Sequence, residues 1–228
     1  MTKQEQDEQL TEFAWGVAHQ FSNLVQVIMG FSELIRSQHP QDQELLDEVN
    51  EIITASGRAR GLVEQLLIIS HRHQLMLEPV DVEQLLRHMA GALKEAAGTK
   101  VELEVRDGAG PLVAMVDARS VERVLLQLVS CARTAMPKGG ALVLEAAPAD
   151  GKPMVRLSVR DSGQGYDAEA AARLCEPFFL KRKFGYGDGL EMAAARHLML
   201  QHGGSLEVET APGRGTTVHL MLPRNGRG

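Results

Sequence analysis

The sequence predicts an α+β protein, a helical hairpin followed by an α/β sandwich, on three observations. Apolar residues recur at steps of three and four through two long stretches separated by a proline. From Glu78-Pro79 onward the texture changes, and short strand-like and helix-like stretches alternate between glycine-rich turns. The chain has 228 residues, a length that suits one to two domains with a sizeable core.

The first helix is expected from about residue 5 to 37. Its stripe runs through Phe13, Val17, Phe21, Leu24, Ile28, Phe31 and Ile35. Ser37-Gln38-His39-Pro40 ends it, because proline cannot continue the hydrogen-bond ladder. A second helix is expected from Asp42 to His73, with Leu45, Val49, Ile52, Ile53, Ala59, Leu62, Val63, Leu66, Leu67 and Ile69 at helical spacing. One hairpin cannot bury both stripes, so pairing with a second copy into a four-helix bundle is the economical solution. The domain boundaries expected are 1–76 for the hairpin and 77–228 for the sandwich.

In the sandwich, Val82 to Ala97 reads as a helix and Lys100 to Arg106 as a strand. Leu112 to Val116 is a short apolar run. Ser120 to Met136 is an apolar helix closed by Pro137 and Gly139-Gly140. Ala141 to Ala146 and Met154 to Arg160 read as neighbouring strands. Gly189 to His202 reads as a helix stopped by Gly203-Gly204, and Leu206 to Glu209 and Thr216 to Leu222 as closing strands. Asn225 to Gly228 reads as a loose tail.

The formal net charge is -6, which argues against a nucleic-acid or anionic-membrane binder. No stretch of about 18 apolar residues occurs, so no membrane span is expected. Cys131 and Cys175 lack metal-site spacing, and a reduced, cytoplasmic setting is expected.

His19 is two residues from both Val17 and Phe21, a rotation of roughly 200° on a helix, so it points away from the apolar stripe. Trp15, Gly16, Ser22, Asn23 and Gln26 share its side, and most are small or polar. An imidazole in such a setting is open to a partner and nucleophilic toward phosphorus near neutral pH. A lone surface histidine is ordinarily inert, and His39, His71 and His73, near helix ends, are read that way.

The stretch Ala18-His19-Gln20-Phe21-Ser22-Asn23-Leu24-Val25 resembles the phosphoacceptor box of sensor histidine kinases, in the group that reads like AHDFNNLL. The resemblance implies that His19 is the phosphoacceptor and that Asn23 positions water or the partner's aspartate. The family has Asp or Glu after the histidine as general base; here Gln20 stands there, an amide that accepts no proton at useful pH.

The resemblance continues through the second domain. Asp161-Ser162-Gly163-Gln164-Gly165 resembles the family's D-x-G-x-G box, Glu176-Pro177-Phe178-Phe179 its phenylalanine box, and Gly213-Arg214-Gly215-Thr216-Thr217 its last glycine box. It implies an ATPase-like sandwich of the histidine-kinase (Bergerat) type. Asp161 would accept a hydrogen bond from an adenine amino group, with Gly163, Gly165, Gly187, Gly189 and Thr216 completing a vestigial nucleotide site. Two boxes depart. Gln127 and Cys131 replace the asparagines of the N-box, the second of which holds Mg²⁺ in the family; a soft thiol suits that hard ion poorly. Asp188 and Glu191 stand in the phosphate-cradling glycine box, where two carboxylates repel a triphosphate. Lys181, Arg182 and Lys183 lie in the lid between Leu180 and Gly187, placed either to contact phosphate or simply in solvent.

The losses fall on the base, the metal ligand and the phosphate cradle, all of which serve ATP-driven autophosphorylation. The resemblance is therefore to bacterial histidine phosphotransferases derived from kinases. It implies a homodimeric phosphorelay protein whose His19 passes phosphate between receiver-domain aspartates. The partners implied are response-regulator receiver domains and a hybrid histidine kinase, with no nucleic acid and no membrane. No cofactor is expected; ATP and Mg²⁺ would enter only if the altered site still functions. The alternatives are an active cytosolic sensor histidine kinase and a non-enzymatic dimeric pseudokinase scaffold.

Overall fold

The computed structural model describes residues 3–69 and 75–224, apart from 107, 109, 150, 186 and 188. Side chains of the first helix are described from Gly16 onward. The chain divides into two compact units, Met1–His73 and Gln74–Gly228.

The first unit is a hairpin of α1 (Lys3–Gln38) and α2 (Gln43–Ile69). Asp42 starts α2: its Oδ1 accepts from the N–H of Leu45 at 3.1 Å. The helix expected to reach His73 is described to Ile69, and residues 70–74 lie outside the described part. Ala18, Val25 and Ser32 are buried along α1, seven residues apart, as are Val49 and Ser56 along α2. Small side chains at such a seam let two backbones approach closely, and the seven-residue spacing is that of coiled-coil packing. The larger residues of the expected stripe are not in it. Phe21, Leu24, Ile28, Phe31 and Ile35 are exposed, Phe31 by 63%. The hairpin thus satisfies one seam within the chain and leaves a contiguous apolar face on α1.

The second unit opens with β1 (Glu78–Asp81), paired antiparallel with β3 (Val113–Val116) in a two-stranded ribbon. Asp81 ends β1 and caps α3 (Val82–Ala97), accepting from the N–H groups of Glu83 and Gln84. The main sheet has five strands in the order β2 (Val101–Arg106), β4 (Gly140–Pro148), β5 (Met154–Asp161), β7 (Thr216–Pro223), β6 (Ser205–Thr210). Only β2 and β4 run parallel, and the crossover between them carries β3 and α4 (Ala118–Ala135). Alternate residues of the central strands form the core: Leu142 and Leu144, Val155, Leu157 and Val159, Val218, Leu220 and Leu222. Against them pack the apolar faces of α3, α4 and α7 (Glu191–Gln201). Between β5 and α7 lie two short helices, α5 (Ala168–Arg173) and α6 (Phe179–Phe184). The expected tail, Asn225 to Gly228, lies outside the described residues. No helix among the described residues is long and apolar enough to cross a membrane.

Candidate functional site

The histidine side of α1 is built by helical phase alone. His19, Gln20, Asn23 and Gln26 are exposed, and Ser22 is half-buried. His19 and Asn23 stand one turn apart on one face. Phe21, Leu24 and Ile28 occupy the opposite side of the helix, so the imidazole and the bare apolar face do not compete for the same surface. The Trp15 side chain, expected on this face, lies outside the described ones.

In the second unit, a mostly apolar cleft, its mouth open to solvent, lies between α4, the ends of β5 and β7, and the α6–α7 segment. Leu128, Ala132 and Ala135 form one wall, Val159 and Val218 the floor, and Leu180 and Met192 the far side. Asp161 and Thr216 meet at the inner end because the sheet register makes them cross-strand partners. Asp161 is only 9% exposed. Its Oδ1 accepts from the N–H groups of Gly163 at 2.7 Å and Thr216 at 3.2 Å. Burial pushes its carboxyl above the ordinary aspartate value, against the pull of those two hydrogen bonds. Thr216 Oγ1 lies 3.1 Å from Thr210 Oγ1, which accepts from the N–H of Tyr166.

Gly165, at φ +64°, has its glycine for a packing reason. A Cβ there would collide with the carbonyl of Ala211, since this loop lies directly on the β6–β7 turn. The N–H of Gly213 donates to Gln164 O at 2.6 Å across the same contact. Gly163 is held beside Asp161 and the carbonyl of Ala135.

Cys131 lines the cleft, one turn beyond Gln127, which does not. The Gln127 Oε1 is buried and has no hydrogen-bond partner among the described residues. In the glycine box, the N–H of Gly189 donates to Glu191 Oε2 at 2.7 Å, and a Cβ at Gly187 would collide with the same carboxylate. Asp188 and Tyr186 lie outside the described residues. Most of the lid is the short helix α6. Lys181, Arg182 and Lys183 are exposed on it, and Lys183 Nζ lies 5.7 Å from the ring centres of both Phe179 and Phe184. Phe178, just before it, takes a left-handed conformation at φ 62° and is 45% exposed.

The structure therefore brings Asp161, Gly163, Gly165 and Thr216 together at one end of the cleft and Gly187 and Gly189 at the lid. Sequence reasoning missed Tyr166, Leu174, Leu180 and Met192 as cleft walls, because their spacing is indistinguishable from ordinary core residues. The apolar slot with its acidic end suits the chemistry of a flat heterocyclic base. The remainder suits Mg²⁺-triphosphate poorly: the Gly189 N–H is already bonded to the Glu191 carboxylate, and the Cys131 thiol lines the cleft as a soft group.

Residues 116–226 match the family model described as "Histidine kinase-, DNA gyrase B-, and HSP90-like ATPase". The sensor kinase CckA of Brucella abortus (strain 2308) is 28% identical over 237 residues, covering 98% of this chain and 25% of that protein. The crystal structure of full-length ShkA in complex with AMPPNP superposes with a TM-score of 0.73 at 25% identity, over 95% of this chain and 46% of that one. Histidine kinase ThkA, in its complex with the response regulator protein TrrA, superposes with a TM-score of 0.63 at 20% identity, over 98% of this chain and 64% of that one. The chain spans a quarter to a half of the length of the curated relatives it matches. It is histidine-kinase-like: a helical hairpin followed by an ATPase-like domain, of which residues 116–226 match this family model.

Proposed function

We propose that this histidine-kinase-like chain works as a two-component histidine phosphotransferase, in which His19 carries a phosphoryl group between receiver-domain aspartates. The observation that carries the reading is a contrast. His19 and Asn23 are exposed together on one face of α1, while the carboxylate of Glu191 holds the N–H that a bound phosphate would need.

The chemistry asks little of the hairpin. An aspartyl phosphate is already an activated acyl phosphate. A ring nitrogen of the imidazole attacks phosphorus with its lone pair, the N–P bond forms, and the P–O bond to the aspartyl carboxylate breaks. The carboxylate leaves with its electron pair. No base is needed to create the nucleophile, so Gln20 in place of an acid is tolerable here and costly only for attack on ATP. The receiver supplies its own acidic cluster and metal. That ThkA forms a complex with a response regulator supports a receiver as the partner class. The bare stripe Phe21, Leu24, Ile28, Phe31 and Ile35 supports a second copy of this chain as the partner of α1.

The test is to incubate the purified chain with a phosphorylated receiver domain, and separately with labelled Mg²⁺-ATP, and to assay phosphohistidine. The expected result is label from the receiver, lost in His19→Ala with the fold intact, and none from ATP. Label from ATP at His19 would replace this reading with an active kinase. No label from any receiver of the same cell would leave a scaffold.

A further inference from the structure

Along β5, Val159 and Asp161 line the cleft, so Ser158 and Arg160 point to the opposite face of the sheet. On β7, Thr217 and His219 alternate in the same way with Thr216 and Val218. That outer face carries a second, more polar groove. Side-chain length makes it. The register sets Arg160, Thr217 and Glu209 in one row across β5, β7 and β6, with Val143 of β4 on the other side of Arg160. Long charged side chains therefore stand around the short ones of Thr217 and Val143, which form the floor.

The charges around this floor are only partly settled within the chain. Arg106, at the β2 side, is held by Glu104 at 2.9 Å and lies 3.8 Å from Glu145. The Arg160 side chain is exposed and makes no hydrogen bond or ion pair among the described residues. Glu209, across Thr217, is exposed and meets the His219 ring, Oε1 to Nε2 at 3.6 Å. The other ring nitrogen lies 2.9 Å from Oγ of Ser158, which is 4% exposed, so the imidazole is held in place at the side of the groove. Neighbouring strands are about 4.8 Å apart, which separates the backbones of Arg160 and Glu209 by roughly 10 Å and lets both long side chains lean over Thr217. A simple anion on Arg160 would lie among the carboxylates of Glu145 and Glu209, and a simple cation on Glu209 would face Arg160. A molecule carrying both charges a few bonds apart satisfies both ends.

We propose that this groove binds a small zwitterion, an α-amino acid. Its carboxylate accepts from the Arg160 guanidinium and the Thr217 hydroxyl, and its ammonium donates to Glu209. The groove lies on the face of the sheet away from the cleft, so the proposal stands apart from how His19 acquires phosphate.

The experiment is calorimetric titration of the full chain with the twenty common L-amino acids. Each is also supplied as its N-acetyl derivative, which lacks the ammonium, and as its methyl ester, which lacks the carboxylate. At least one free amino acid should bind with a Kd of about 1 mM or tighter, and both of its capped forms about tenfold or more weakly. Arg160→Gln and Glu209→Gln, each checked for native thermal unfolding, should each weaken binding about tenfold or more. Arg156→Gln, on the same face of β5 but outside the groove, should leave it unchanged. No binding by any of the twenty up to about 10 mM would overturn the proposal. So would equal binding of either capped form, full affinity in the Arg160 or Glu209 variant, or an equal loss in Arg156→Gln.

Discussion

The backbone N–H of Asp117 donates to His202 Nε2 at 3.1 Å, tying the start of α4 to the end of α7. His202 is 1% exposed, and its Nδ1 lies 2.7 Å from the carbonyl of Leu198. A carbonyl only accepts, so the proton is on Nδ1 and the ring is neutral. The same Asp117 caps α4 through Ser120 and accepts from the N–H of Met76 at 2.9 Å. The helix that forms one wall of the cleft is therefore anchored by a buried histidine.

His202→Ala should destabilise the second unit by about 2–4 kcal/mol, from a cavity plus an orphaned buried N–H. Denaturant unfolding checks this. A loss under 0.5 kcal/mol, the range of ordinary surface substitutions, would show that the tie is dispensable.

Asp161 predicts a pH dependence. Burial raises its folded pKa above 3.8, despite the N–H groups of Gly163 and Thr216. A group raised in this way favours the folded state below its unfolded pKa, and that contribution is lost as pH rises through the folded value. Asp161→Asn keeps the acceptor and removes the titration. The stability of wild type minus variant should therefore decline as pH is raised from below 3.8 toward neutrality. Thermal unfolding across that window measures it; a difference that is flat or grows with pH contradicts the burial argument.

Gly165→Ala should cost about 2–4 kcal/mol, because a left-handed backbone and a collision with Ala211 O coincide there. Gly213→Ala is the control. Its φ of +74° is also left-handed, but nothing lies within 4 Å of the added carbon, so about 1 kcal/mol is expected. Equal losses in the two variants would mean that the loop yields.

Phe31→Glu places a charge in the middle of the bare α1 stripe. If a second copy covers that stripe, light scattering at micromolar concentration should show a dimer for the wild type and a monomer for the variant. Each fully buried large apolar side chain contributes roughly 1.5–3 kcal/mol to such an interface. The melting of the second unit should be unchanged, since Phe31 belongs to the other unit. A monomeric wild type would end the bundle proposal.

The sequence by itself determined the hairpin, the strand–helix alternation and the direction of His19. Each is a local consequence of period, proline and glycine. Gly213-Arg214-Gly215 sits between β6 and β7, and Pro40 between α1 and α2, because glycine admits the positive φ a tight turn needs and proline fixes φ and cannot donate to a helix ladder. Asp161 and Glu191 were also legible, as carboxylates in recognisable boxes.

Only the tertiary structure decided which α1 residues the hairpin itself buries. Period shows that a stripe exists but not what covers it, and the seam within the chain fell to Ala18, Val25 and Ser32 instead of the large residues beside them. It alone decided that Asp161 meets Thr216, 55 residues away, since register between β5 and β7 is a property of the sheet. It alone decided that Glu191 turns back onto Gly189. A carboxylate in the first turn of a helix suits the dipole in any setting; whether it faces solvent or fills the cradle depends on the path of the loop before it.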